Sequence, residues 1–171
     1  MVEAIGGDVL DFKKTILEPT SGDGAFTTYI LKKRLESIKN NFEINILKAL
    51  STIYSVEMDK ALVEKQRCNI YTVIINFLEK QKVKVRDEYL NLIKIMIVLN
   101  FIWGEFNTEI SKNSNESGDS LFAFEDLPDS MKDILVFDMA ESMRETKKCV
   151  KFAVWEIDDS KIQMHFEEVE V

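Results

Sequence analysis

Cysteine, proline and histidine are scarce: the 171-residue chain has two, two and one of them. Cys68 and Cys149 are far apart and in no metal-type spacing. With no export signal in the chain, they read as two buried thiols in a reducing cytoplasm and not as a disulfide. A single histidine, His165, excludes metal sites built on a histidine pair, and any Ser-His-Asp triad would have to draw on this one residue of an acidic tail. Long apolar runs are missing too. Ile95–Leu99, extended across Asn100 by Phe101–Trp103, falls well short of the ~20 residues a membrane span needs. The first residues, Met1–Asp8, have neither the basic start nor the apolar core of a secretory signal. A cytoplasmic protein with no membrane association is expected.

An excess of basic charge is also absent. The chain holds 22 Lys/Arg against 30 Asp/Glu, a net charge of −8. The imbalance is not spread evenly. Residues 1–104 carry 15 Lys/Arg and 13 Asp/Glu, a net of +2, whereas residues 105–171 carry 7 and 17, a net of −10. A surface that grips nucleic acid through its phosphates needs the opposite sign, so strong nucleic-acid binding by this chain alone is excluded. Disorder is excluded as well, because 46% of residues are hydrophobic, with 11 Phe, 4 Tyr and 2 Trp among them. The length suits one domain.

The apolar pattern changes period along the chain. Lys14–Pro19 reads as a short buried strand that Pro19 ends, followed by the turn-forming Thr20–Gly24. From Ala25, Phe26, Ile30, Leu31, Leu35 and Ile38 fall at helical spacing, with Lys32, Lys33, Arg34 and Glu36 on the opposite face. After a polar break at Lys39–Asn41, Leu50–Met58 reads as a second strand. Asp59 is placed to cap a long helix whose apolar positions run through Leu62, Val63, Ile70, Val73, Ile74, Phe77 and Leu78. A further helix is expected over Arg86–Leu99 and a third strand at Phe101–Trp103. The polar stretch 108–120 reads as a flexible loop, Ser130–Lys147 as a helix, and Val150–Ile157 with Ile162–Val171 as a hairpin. Strands alternating with helices predict an α/β sheet with an antiparallel pair at its end.

A strand ending in an acidic residue, then a Gly-x-Gly turn, then a helix, has a physical logic. Glycine lets the backbone approach a ligand closely, and the helix N-terminus offers free N–H groups. By itself such a turn is also an ordinary tight connection. The full string Leu17-Glu18-Pro19-Thr20-Ser21-Gly22-Asp23-Gly24-Ala25-Phe26 says more. It resembles the first motif of the S-adenosylmethionine-dependent amino-methyltransferases that act on DNA adenine in restriction–modification systems. Their pattern, acidic-Pro-x-x-Gly-x-Gly-x-Phe, is matched at every fixed position. The resemblance implies a reduced Rossmann-like methyltransferase sheet with flanking helices and a C-terminal antiparallel hairpin. Within one domain, residues 14–107 would form the cofactor-binding core and residues 121–171 an acidic helix plus hairpin. It also implies S-adenosylmethionine as cofactor. Glu18 and Phe26 would then line its methionine end, over the backbone of Gly22, Asp23 and Gly24. Glu57, ending the second strand, would accept from the ribose hydroxyls, with Met58 near the adenine. Glu105, after Gly104, would lie near the adenine amino group.

The sequence departs from that family in the half that performs the chemistry. The family's Asp/Asn-Pro-Pro-aromatic motif accepts hydrogen bonds from the target amine and stacks on the flipped base. Pro19 and Pro128 are the only prolines, so that motif is absent, and Glu125–Asp129 is a poor substitute. The segment that family members place ahead of the first motif is missing or vestigial, with 13 residues before Lys14. No residue is assigned a catalytic role. Two expectations follow. One is an S-adenosylmethionine-binding, methyltransferase-like protein whose partner, a methyltransferase or nuclease subunit, supplies the base pocket. The other is a non-enzymatic acidic interaction protein, of the kind phages use to inhibit nucleases or restriction enzymes, on a degenerate methyltransferase scaffold. There the turn is a relic and the acidic residues Glu156, Asp158, Asp159, Glu167, Glu168 and Glu170 meet a basic groove.

Overall fold

The computed structural model describes residues 7–104, 149–158 and 161–170. Three short parallel strands, β1 (Ile16–Glu18), β2 (Ile53–Glu57) and β3 (Phe101–Trp103), form a sheet in the order β1-β2-β3. Four helices connect them: α1 (Ala25–Ser37) and α2 (Phe42–Leu50) between β1 and β2, α3 (Lys60–Lys80) and α4 (Asp87–Asn100) between β2 and β3. A hairpin of β4 (Cys149–Ile157) and β5 (Ile162–Glu170) completes the described chain. The protein is mixed α/β, as the alternation of periods predicts.

Strand order 1-2-3 steps in one direction, so two crossovers of the same hand set their helices on the same face. Accordingly α1 and α3 pack on each other over one side of β2. On that side lie Ile53, within the main core, and Ser55, bonded to Gln66 of α3. The alternate residues of β2, Tyr54 and Val56, point the other way. Helices would cover this second face in a doubly wound sheet; here the hairpin does. Phe152 meets the Tyr54 ring edge-on at 5.5 Å, and the Tyr54 hydroxyl lies 2.7 Å from both the Ala153 and the Ser51 carbonyls, which share its one proton. Burial, and to a lesser degree Glu167, push that hydroxyl up to about 12, so it stays a donor at any physiological pH. Asn100 ties the hairpin to the helical layer, donating to the Leu50 carbonyl and accepting from the Trp155 indole.

Four expectations need correction. The hairpin does not extend the parallel sheet at its end; it is a separate two-stranded sheet laid across its face. Residues 42–50 form α2, and the second strand starts only at Ile53. Asn41, in the left-handed region at φ 47°, begins the new helix where the sequence shows only a break. Arg34 does not lie on the solvent face of α1 and is wholly buried. Its guanidinium fork reaches the carbonyls of Val9, Asp11, Lys14 and Ala49 and the Thr52 hydroxyl. Cys68 is a free thiol, but half-buried and not buried.

Other boundaries are close to expectation. Asp59 caps α3 through Ala61 N–H at 2.8 Å and Leu62 N–H at 3.3 Å. The hairpin alternates, with Met164 and Phe166 of β5 inward as the sequence suggests. In β4 the sequence favours Phe152 and Val154 for that side, whereas their neighbours Ala153 and Trp155 take it and Phe152 turns to Tyr54. Ala153, Trp155, Met164 and Phe166 face the core, while Glu156, Gln163, His165 and Glu167 are exposed. The expected loop 108–120 and helix Ser130–Lys147 lie outside the described residues, as does Glu125–Asp129. Among the described residues no helix is long and apolar enough to cross a membrane, and no His/Cys/Asp/Glu group could hold a metal ion.

Candidate functional site

Parallel strands leave their C-terminal ends on one side of a sheet, and ligands of open α/β sheets bind there. The glycine turn sits at that side. Pro19 ends β1, the chain reverses through Ser21–Gly24, and α1 begins at Ala25. Gly22 and Gly24 have φ of 55° and 74°, in the left-handed region that a residue with a Cβ adopts only at a cost. The two glycines differ in their surroundings. A Cβ on Gly22 would point into open space, whereas one on Gly24 would collide with the Gln66 side chain.

The end of β2 binds this turn to the rest of the sheet. The Gly22 N–H donates to Glu57 Oε2 at 2.7 Å, and the Ser21 N–H donates to the Val56 carbonyl at 3.3 Å. Across the other edge, the Gly104 N–H donates to the Glu57 carbonyl at 2.9 Å. Glu57 Oε1 accepts from the Asp59 N–H at 3.0 Å. Each carboxylate oxygen thus has one protein donor and retains capacity for a second. Glu57 is therefore both the latch of the turn and an acceptor beside it.

Glu18 is the unusual group. It ends β1 half-buried, and its Oε2 is buried with no hydrogen-bond partner. Burial raises its carboxyl above the ordinary carboxylate range, with the N–H and hydroxyl of Thr27 acting more weakly in the opposite sense. A buried acceptor without a donor is costly in a finished fold and calls for an explanation such as an absent ligand group.

The other expected residues are placed as follows. Asp23, at the tip of the turn, pairs with Lys65 at 3.0 Å, and the hydrogen bond and charge of Lys65 hold its carboxyl below the usual range. Its carbonyl accepts from the Asn69 side chain at 3.2 Å. Met58 is 68% exposed, and its carbonyl accepts from the Trp103 indole at 2.9 Å, with Lys60 over the same ring. Phe26 is half-buried and packs against the main core, so at least part of its ring is committed to packing. Glu105 lies outside the described residues. The structure thus joins Gly22 to Glu57 directly and sets Glu18, Asp23, Gly24 and Met58 on the same side of the sheet.

Sequence reading missed the second layer of the site. One face of α3 grips the turn through Lys65, Gln66 and Asn69. A signal existed for Gln66. It falls on the stripe Val63, Gln66, Ile70, Ile74, and an amide on a buried stripe needs partners.

Three carboxylates, two left-handed glycines and the start of α1 suit a ligand rich in donors or carrying positive charge. They do not suit a polyphosphate, since no lysine follows the second glycine and the acids would repel it. No family model matches the chain, and neither a curated protein nor a solved structure matches it.

Proposed function

We propose that the glycine turn is a binding site for S-adenosylmethionine, in a methyltransferase-like protein related to the DNA adenine methyltransferases. The observation that carries this reading is the 2.7 Å bond from the Gly22 N–H to Glu57. It sets an acidic strand end against a left-handed glycine turn, where a ribose hydroxyl could reach the carboxylate while the turn backbone passes beneath. Glu18 supports the same reading, since its unpartnered buried oxygen would accept from an ammonium group. The cofactor would contribute an activated methyl group, and this chain's own residues would hold and orient it. Glu57 and Glu18 fix the two ends, and Met58 and Trp103 flank the exposed side. The chain is not catalytic alone, and another protein brings the target base.

Calorimetric titration of the full chain with S-adenosylmethionine tests this. Saturable heat is expected, weakened at least roughly tenfold by Glu57→Ala, because a charged acceptor is removed. Absence of heat at millimolar cofactor would falsify the reading.

The alternative is an acidic interaction protein on the same scaffold. It draws on Glu156 and Glu167, both exposed on the hairpin. On this view a pull-down recovers a basic nuclease or restriction subunit, in a manner that weakens with salt.

A further inference from the structure

We infer that Gln66 is the positioning residue of the turn: its side-chain amide, and not the glycines alone, sets the form in which Ser21–Gly24 meets a ligand. This rests on the reading of the turn as a ligand site. Gln66 is wholly buried and belongs to α3, yet its amide joins three other parts of the fold. Its Oε1 accepts from the Ser21 hydroxyl in the turn at 3.0 Å and from the Ser55 hydroxyl on β2 at 2.9 Å. Its Nε2 donates to Thr27 Oγ1 in the first turn of α1 at 2.9 Å, and the Thr27 hydroxyl donates onward to the Gly24 carbonyl at 3.2 Å.

The direction of this chain is fixed by its far end. The Thr27 hydroxyl has one proton, and the acceptors it faces, the Gly24 carbonyl and the ionised Glu18 carboxylate, only accept, so Thr27 must take its other bond from an N–H. That orients the amide with Nε2 toward α1 and Oε1 toward the two serines. Gln66 therefore clamps the turn at both of its ends, Ser21 directly and Gly24 through Thr27. It also fills the volume where a Cβ at position 24 would stand, so the glycine is required by this side chain as well as by its backbone angle. A side chain that merely filled the core would need neither the polar atoms nor the convergence of three elements.

The test compares the two serines that share Oε1. Ser21→Ala removes the hydrogen bond on the turn side and Ser55→Ala the one on the strand side, at similar chemical cost. Amide hydrogen exchange at Gly22 and Gly24 is measured in both, together with Gln66→Leu and with global stability by urea unfolding. Gln66→Leu and Ser21→Ala should speed exchange at the two glycines roughly tenfold beyond any global change, the equivalent of one hydrogen bond of ordinary net strength. Ser55→Ala should lower global stability and leave the glycines in step with it. Should Gln66→Leu fail to fold, the serine pair still decides. Equal effects of the two serine changes at the glycines, or no local effect from Ser21→Ala, overturn the inference. Titration with S-adenosylmethionine keeps the two claims apart. Weaker binding in Ser21→Ala than in Ser55→Ala supports both. No heat from the unaltered chain, with the exchange result intact, removes the cofactor and leaves the positioning role standing.

Discussion

The two ends of α1 present opposite designs. At its C-terminal end Arg34 is buried with its five N–H donors directed at four carbonyls and a hydroxyl, on the side where β1 and β2 begin. Burial lowers its guanidinium only to about 10, so it remains charged at neutral pH. Among the described residues no carboxylate is bonded to it, though the charge of Asp11 favours it; its donors go to backbone carbonyls and the Thr52 hydroxyl. At the N-terminal end, where the strands finish, the buried hub is the neutral Gln66, and the nearby charge of Glu18 keeps a buried oxygen without a partner. One end is saturated and holds itself. The other is ordered but leaves an acceptor open. Saturation is what stability requires, and an ordered vacancy in hydrogen bonding is what binding requires.

Substitutions at each end can break this comparison. The largest loss is expected for Arg34→Met, which strips donors from four buried or partly buried carbonyls. It should cost about 3 kcal/mol or more by urea unfolding. A loss below about 1 kcal/mol would mean that the saturated end is not what anchors residues 9–14. Gly24→Ala comes next, at about 2–3 kcal/mol, because it adds a collision with Gln66 to backbone strain. Gly22→Ala meets strain alone, since its Cβ points into open space, and should cost about 1 kcal/mol. Reversal of that order would count against Gln66 as the reason for Gly24. Asp59→Ala, the loss of a helix cap, should cost about 1 kcal/mol in the same assay. Lys65→Ala is expected to have the smallest effect, because its pair with Asp23 is exposed and screened. Its effect should vanish in high salt.

Much of the architecture was legible in the sequence because it rests on local signals. Pro19 stops β1, Asp59 caps α3, and the boundary of β3 follows from an apolar triplet before Gly104. The alternation of β5 is readable, that of β4 only in part, and the position of the hairpin not at all, since nothing local says whether two strands extend a sheet or cover its face. Residues 42–58 hold neither glycine nor proline, so no local breaker marks the switch from α2 to β2. Periodicity assigns the charge of Arg34 to the solvent side, and only tertiary contacts with residues 9–14, Ala49 and Thr52 make its burial tolerable. At the candidate site, the glycines, Glu18 and Glu57 could be named from the motif resemblance. Their support by Ser21, Thr27, Ser55 and Gln66 could not, because it depends on packing between α1, α3 and β2.

The most direct test of the open acceptor is Glu18→Gln, followed by urea unfolding from acid to neutral pH with and without S-adenosylmethionine. Burial raises the Glu18 carboxyl in the fold, so its ionised form is the one the fold disfavours. Its cost is absent at pH below the unfolded midpoint and grows as pH rises through the folded one. The free variant should therefore be more stable than the unaltered chain at pH 7, with the advantage fading toward acid pH. The cofactor should stabilise the unaltered chain and leave the variant where it was. A variant that is less stable at pH 7 and still stabilised by the cofactor would contradict the account, because Glu18 would then belong to the saturated part of the fold.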